Sequence, residues 1–150
     1  MTAVFVDTNV LVYARDASHP EKQSQAWAWL ESLWRTRTGR VGYQVLHEYY
    51  SVVTQRLQPG LDRESARADV RRLLLWEPVP LDGRVTEGAW AIQDRFQCSW
   101  WDALIVAAAR VAGCDYLLTE DLQHEAQLGS VLVIDPFRRG PEDVLTSPGG

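Results

Sequence analysis

The opening nine residues restrict the chain more than any other stretch. Residues 3–6, Ala-Val-Phe-Val, are an unbroken apolar run, the pattern of a strand buried on both faces. The run stops at Asp7-Thr8-Asn9, three short polar residues that favour turns and helix caps over a continued strand. A strand covered on both faces belongs in an α/β sheet with helices above and below. Its C-terminal end then carries a carboxylate to the edge where ligands collect in such sheets. Asp7 also has a plainer explanation, as the cap of the following helix.

The rest of the chain supplies the sheet and its cover. Residues 10–15 read as a helical turn. His19-Pro20-Glu21 opens a helix to residue 37, with proline at a tolerated first-turn position. Trp27, Leu30 and Trp34 mark its buried stripe, and Trp29 falls outside it, exposed. A brief strand at 40–43 leads to a helix over 44–55, with Val45, Tyr49, Val52 and Val53 on one side and a stop near Pro59-Gly60. Asp62 caps an arginine-rich helix over 63–75. Pro-Val-Pro-Leu at 78–81 reads as an edge strand, because proline cannot donate to a ladder. Asp82 opens a helix to 96, and Ser99 opens an almost wholly apolar one over 100–112. A strand at 115–119, a short helix begun by Asp121 and a strand at 131–134 complete the pattern. Such alternation predicts a three-layer sandwich: a central parallel sheet of four to five strands with right-handed crossovers, flanked by helices. One domain over 1–137 and a flexible tail over 138–150, where proline, glycine and charge dominate, account for the length.

Composition excludes several classes. No apolar run approaches the roughly 20 residues of a membrane span, and no charged segment followed by an apolar one opens the chain as a secretion signal. Cys98 and Cys114 are the only cysteines, and two scattered thiols suit a reducing cytoplasm. His19, His47 and His124 are equally scattered, so no zinc-ligand spacing exists. Net charge is −5, which argues against a nucleic-acid partner. Yet every basic residue except Lys22 is arginine, whose planar fork grips phosphate. Among the seven tryptophans, Trp29, Trp76 and Trp90 are candidates for an interface.

Four acids interrupt apolar surroundings: Asp7, Glu48, Asp102 and Asp121. Glu48 borders the buried face of its helix. Asp102 follows Trp100-Trp101 and precedes an apolar stretch. Asp121 follows the strand at 115–119, whose end lies beside that of the first strand if the two are neighbours. Each acid has an ordinary alternative. Glu48 pairs with an arginine, Asp102 closes a capping box with Ser99, and Asp121 caps a helix. Convergence of all four has a further consequence. Two carboxylates about 4 Å apart repel by roughly 4 kcal/mol at an effective dielectric near 20. A cluster therefore calls for protons or a cation, and an all-oxygen set suits Mg²⁺ or Mn²⁺. Thr8, Asn9 and Thr119 are placed to orient the acids.

Four segments now carry a resemblance: Val-Phe-Val-Asp-Thr-Asn-Val-Leu-Val-Tyr at 4–13, Val-Leu-His-Glu at 45–48, Trp-Trp-Asp-Ala-Leu-Ile at 100–105 and Leu-Leu-Thr-Glu-Asp-Leu at 117–122. In this order the chain resembles the PIN-domain family, specifically the VapC-type toxin ribonucleases of bacterial and archaeal toxin–antitoxin pairs. The resemblance implies Asp7, Glu48, Asp102 and Asp121 as ligands of Mg²⁺ or Mn²⁺. It implies cleavage of single-stranded RNA by activated water, leaving 5′-phosphate and 3′-hydroxyl ends. It also implies a homodimer, and a cognate antitoxin that lays a peptide near the site. Glu120 competes with Asp121 for the fourth position, and the family's Thr-x-Asp spacing favours Asp121. Two other readings stand beside this one. One is a phospho-accepting signalling module, which needs a lysine near the last strands. The other is a non-catalytic domain that uses its acids for interaction.

Overall fold

Val4, Phe5 and Val6 are fully buried and form β1 (Val4–Val6). The computed structural model describes residues 2–145 and sets this strand near the middle of a five-stranded sheet. β2 (Gly39–Arg40) and β3 (Tyr116–Leu118) flank β1, both parallel to it. β5 (Val131–Ile134) continues the parallel array beyond β3. The spatial order is β2-β1-β3-β5, closed by β4 (Gln127–Leu128) at the edge. The chain leaves β1 toward one side for β2 and returns to the other for β3. The boundary between β1 and β3 is therefore the switch point where sheets of this kind open a crevice.

Helices cover the sheet as the alternation predicts. They are α1 (Thr8–Tyr13), α2 (Pro20–Thr36), α3 (Tyr43–Gln55), α4 (Arg63–Leu73), α5 (Gly83–Phe96), α6 (Trp100–Val111) and α7 (Pro141–Leu145). Their starts follow the expected capping chemistry. The side chain of Asp62 accepts from Ser65 N–H, that of Asp82 from Arg84 and Val85 N–H, and that of Ser99 from Asp102 N–H. α6 lies against β3 and β5, and seven successive residues, Ala103 to Ala109, are buried there. No helix among the described residues is long and apolar enough to cross a membrane.

Several expectations need correction. The sheet is not wholly parallel. β4 pairs antiparallel with β5 through a two-residue turn, in which Gly129 adopts φ of +68°, a value that glycine reaches without strain. The segment at 78–81 forms no strand. Val79 makes a single parallel bridge to Gly42, with hydrogen bonds to Val41 and Tyr43. The helix expected to 75 ends at Leu73 and tightens into a 3₁₀ turn, Leu74–Trp76, which brings the Trp76 ring against β2. A Cβ on Gly39 would lie 2.4 Å from that ring. Residues 121–126 form no helix, because the Thr119 hydroxyl receives the Asp121 N–H and turns the chain away.

The tryptophans are also rearranged. Trp29 is fully buried and donates to the carbonyls of Pro136 (3.2 Å) and Arg139 (2.9 Å), whereas Trp27 is 44% exposed. The true stripe of α2 is Ala26, Trp29, Leu30 and Leu33, and a distant segment supplies the acceptors for the indole. Trp76 is buried as well, leaving Trp90 as the exposed member of the three interface candidates. Within the expected tail, residues 141–145 form α7, with Pro141 buried and Val144 and Leu145 against the core. Residues 146–150 lie outside the described residues.

Candidate active site

Asp7 follows the last residue of β1 and Thr119 the last residue of β3, so the parallel pairing of the two strands brings residues 112 apart into contact. Asp7 N–H continues the ladder to the Leu118 carbonyl at 3.0 Å. The Asp7 carboxylate is almost wholly buried, at 6% exposure. It accepts from Thr8 N–H at 2.7 Å and from the Thr119 hydroxyl at 2.9 Å. Asp7 thus does cap α1, but only one carboxylate oxygen serves the cap.

Asn9 ties the acids together. Its amide nitrogen, Nδ2, lies 3.0 Å from Asp121 Oδ2, 3.0 Å from Thr119 Oγ1 and 3.4 Å from Asp7 Oδ2. Thr119 is fully buried and uses all its capacity, donating to Asp7 while accepting from Asn9 and from Asp121 N–H. On the other side Thr8 donates its hydroxyl to Glu48 Oε2 at 2.9 Å, and Gln44 donates to Oε1 at 3.0 Å. Glu48 makes no ion pair with an arginine; neutral donors hold it. The three residues expected to orient the acids, Thr8, Asn9 and Thr119, are therefore in contact with Asp7, Glu48 and Asp121.

Asp102 enters from the first turn of α6. Its N–H is received by Ser99 Oγ at 3.1 Å, while its carboxylate makes no hydrogen bond among the described residues. Half of a capping box is present, and the acid itself is left for other use. Its charge bears on Asp121, as does that of Glu48.

The electrostatics are those of crowded carboxylates. Burial pushes the Asp7 carboxyl up to about 6; the Thr8 and Thr119 hydrogen bonds oppose that rise, and the charges of Asp121 and Glu48 add to it. Burial also raises Asp121, followed by the charges of Glu120, Asp102 and Glu48, with the Asn9 hydrogen bond acting against them. Among the described residues, no three acid, histidine or cysteine side chains close on one preformed metal-sized point. Asn9, Thr8 and Thr119 instead supply the positive ends of dipoles to the carboxylates. The donor set still fits a hard divalent cation: it is all oxygen, it is anionic, and its charges raise the proton affinity of Asp7 and Asp121.

Glu120 is engaged elsewhere. It accepts from Tyr13 Oη at 2.7 Å and from Lys22 Nζ at 2.9 Å. Sequence reasoning missed this arrangement, whose members lie 107 and 98 residues from Glu120. The only available signal was Lys22 itself, the sole lysine in an arginine-rich chain. Lys22 stands 94 residues before β3 in sequence, yet it packs at the end of that strand. It is ion-paired there and covers the rings of Tyr13 and Phe137, at 4.8 and 5.0 Å. A second missed network joins Arg15, bidentate to Asp69 at 2.6 and 2.9 Å, with Tyr49 Oη, also 2.6 Å from Asp69. It fastens the turn that follows α1 to α3 and α4.

Comparison with known proteins accords with this geometry. No curated protein sequence matches the chain. Solved structures do. FitAcB from Neisseria gonorrhoeae is 20% identical with a TM-score of 0.65, covering 91% of this chain and 99% of that one. A toxin–antitoxin complex from Klebsiella pneumoniae is 17% identical with a TM-score of 0.61, covering 90% and 98%. VapC20 from Mycobacterium tuberculosis, described as a Sarcin-Ricin loop cleaving toxin, is 19% identical with a TM-score of 0.51, covering 77% and 87%. These likenesses concern the fold. The PIN domain family model matches residues 4–127, from the first residue of β1 into β4, and the chain belongs to the PIN domain family.

Proposed function

We propose that this protein is a Mg²⁺- or Mn²⁺-dependent endoribonuclease and the toxin of a toxin–antitoxin pair, with Asp7, Glu48, Asp102 and Asp121 as its metal-holding and catalytic acids. The observation that carries the reading is the Asn9 amide shared between Asp7 and Asp121, with Thr8 fixing Glu48 beside them. Such fixation holds mutually repelling carboxylates at one sheet edge, where a fold without use for them would let them part.

A hard divalent ion, when bound, supplies activated water and neutralises charge on a phosphodiester under in-line attack. The chain does the rest. Asp7, Glu48, Asp102 and Asp121 would hold it from four segments of the chain, and Thr8, Asn9 and Thr119 keep Asp7, Glu48 and Asp121 oriented. Glu120 stays with Lys22 and Tyr13. Water attack leaves 5′-phosphate and 3′-hydroxyl ends. A route through the ribose hydroxyl would instead need a general acid and base, usually histidine. His47 lies on α3, His19 is bound to Asp16, and His124 receives Asp135 N–H, so the three are held by different segments.

Support for the toxin role comes from the neighbours, one of which is a toxin–antitoxin complex and another a Sarcin-Ricin loop cleaving toxin. On this reading the protein acts in the cytoplasm on single-stranded RNA. It pairs as a homodimer, is silenced by a cognate antitoxin, and works through one domain spanning 1–137. Growth on induction, wild type against Asp7→Asn, tests it. Wild type should arrest growth and the variant should not, at equal expression. An Asp7→Asn protein that is fully toxic and fully active would remove Asp7 from the site.

A further inference from the structure

Three of the four arginines of α4 share one line of the helix, and Arg72 lies off it. Arg63, Arg67 and Arg71 recur every four residues and so share one stripe. All three are exposed. Arg63 and Arg71 make no ion pair among the described residues, and Arg67 donates to the phenolic oxygen of Tyr50 at 3.2 Å. Of the acids beside them, Asp69 is held by Arg15 and Tyr49 and Asp62 by Ser65, and Glu64 makes no ion pair among the described residues. In a chain of net charge −5, this is a concentrated basic face.

Across from this stripe α3 presents Tyr43, His47 and Tyr50, spaced four and three residues apart. These side chains, with Arg67, Arg71 and the apolar Leu46, Val70 and Leu74, line an open groove between the two helices. Tyr43 is 40% exposed. Rings on one wall and guanidinium groups without an ion pair on the other are the recurring elements of a single-stranded nucleic-acid track, which stacks bases and grips the backbone. The groove also leads somewhere. Gln44 and Glu48 form the neighbouring row of α3, and they face Thr8 and the acid cluster. One helix thus separates the groove from the candidate metal site by a single step around its circumference.

We infer that the α3–α4 groove is the track on which single-stranded RNA lies, with Arg67 and Arg71 on its phosphates and Tyr43 and Tyr50 under its bases. This rests on the reading of the chain as a ribonuclease and deepens it. The arginines make the acid edge approachable for a polyanion that it would otherwise repel.

The test measures binding apart from cleavage. Fluorescence anisotropy of a labelled, short single-stranded RNA is followed in EDTA with the full chain. The proteins compared are wild type, Arg67→Ala/Arg71→Ala, Tyr43→Ala and Asp7→Asn. Because the substituted groove residues are at the surface, unchanged thermal melting and elution volume confirm the fold. Asp7→Asn should bind no more weakly than wild type, because it removes a negative charge from the edge the RNA approaches. The double arginine variant should bind more than about tenfold more weakly, and its log–log salt slope should be shallower by about 1.4, two contacts at roughly 0.7 each. Tyr43→Ala should lose about fivefold or more, the low end for one stacked base. Equal binding by wild type and the double variant overturns the groove and leaves the ribonuclease reading standing. No RNA binding by wild type counts against both. If a polyglutamate peptide displaces the RNA as well as unlabelled RNA does, or if the arginine variant changes oligomeric state, the face belongs to a protein partner or a second copy and the inference fails.

Discussion

Replacing Asp7 by asparagine should make the metal-free protein more stable at neutral pH, although it removes the residue on which the candidate site is built. The folded-state carboxyl titrates at about 6, against 3.8 for the ordinary group. A raised folded value means that the folded protein holds this proton more tightly than the unfolded chain. Stability from this group is therefore complete below about pH 4 and is lost as the pH rises through about 6. Roughly two pH units at 1.36 kcal/mol each make an ionised Asp7 cost about 3 kcal/mol at pH 7.5. Asparagine never ionises and avoids that cost, while its oxygen still accepts Thr8 N–H. It does lose the acceptor for the Thr119 hydroxyl, whose oxygen already receives two donors, and the 3.4 Å contact of the Asn9 amide, which keeps its bonds to Thr119 and Asp121; together these losses cost about 1 kcal/mol. The balance is about 2 kcal/mol of stabilisation, or a Tm increase of roughly 4–8 °C for a domain of this size. Differential scanning calorimetry in EDTA at pH 7.5 measures it. At pH 4 the advantage should vanish or reverse, because Asp7 is then protonated in the folded state. Saturating Mn²⁺ should raise the wild-type Tm and leave the variant unmoved, since only the former binds the ion in its folded form. An Asp7→Asn protein that melts lower than wild type at pH 7.5, or that responds equally to Mn²⁺, would refute this reasoning.

Three further substitutions probe the surroundings. Asn9→Ala removes the amide between Asp7 and Asp121, and Mn²⁺ affinity by isothermal titration calorimetry should fall by about 10- to 100-fold, the usual effect of losing a group that orients ligands. Asp121→Asn should abolish RNA cleavage, whereas Glu120→Gln should retain most of it in the same gel assay; the reverse ranking would move the fourth acid to position 120. Trp29→Ala should cost at least 3–5 kcal/mol in urea unfolding, since it empties a core site and orphans two carbonyls, while exposed Trp90→Ala should stay within about 0.5 kcal/mol. Equal effects at the two positions would contradict the burial that separates them.

What was legible in the sequence follows from how far apart the interacting groups lie. β1 is readable because burial on both faces leaves an unbroken apolar run, and Asp7 because it ends that run. Asp62, Asp82 and Ser99 are readable as caps because the N–H groups they accept lie two or three residues away. Trp29 was misplaced because its indole is satisfied by carbonyls 107 and 110 residues later, which no local periodicity contains. The residues around Asp121 favour a helix locally, but the Thr119 hydroxyl and the demands of β4 and β5 override that propensity. The competition between Glu120 and Asp121 could not be decided along the chain. In the folded protein Lys22 and Tyr13 draw Glu120 to one side, and Asn9 draws Asp121 to the other.

The most direct measurement maps the ends of RNA fragments released by the purified protein with Mn²⁺ and with EDTA. Ligation-ready 5′-phosphate and 3′-hydroxyl ends that form only with the ion are the predicted outcome. Cleavage that persists in EDTA, or fragments ending in a 2′,3′-cyclic phosphate, would contradict the claim that these four acids act through a divalent cation.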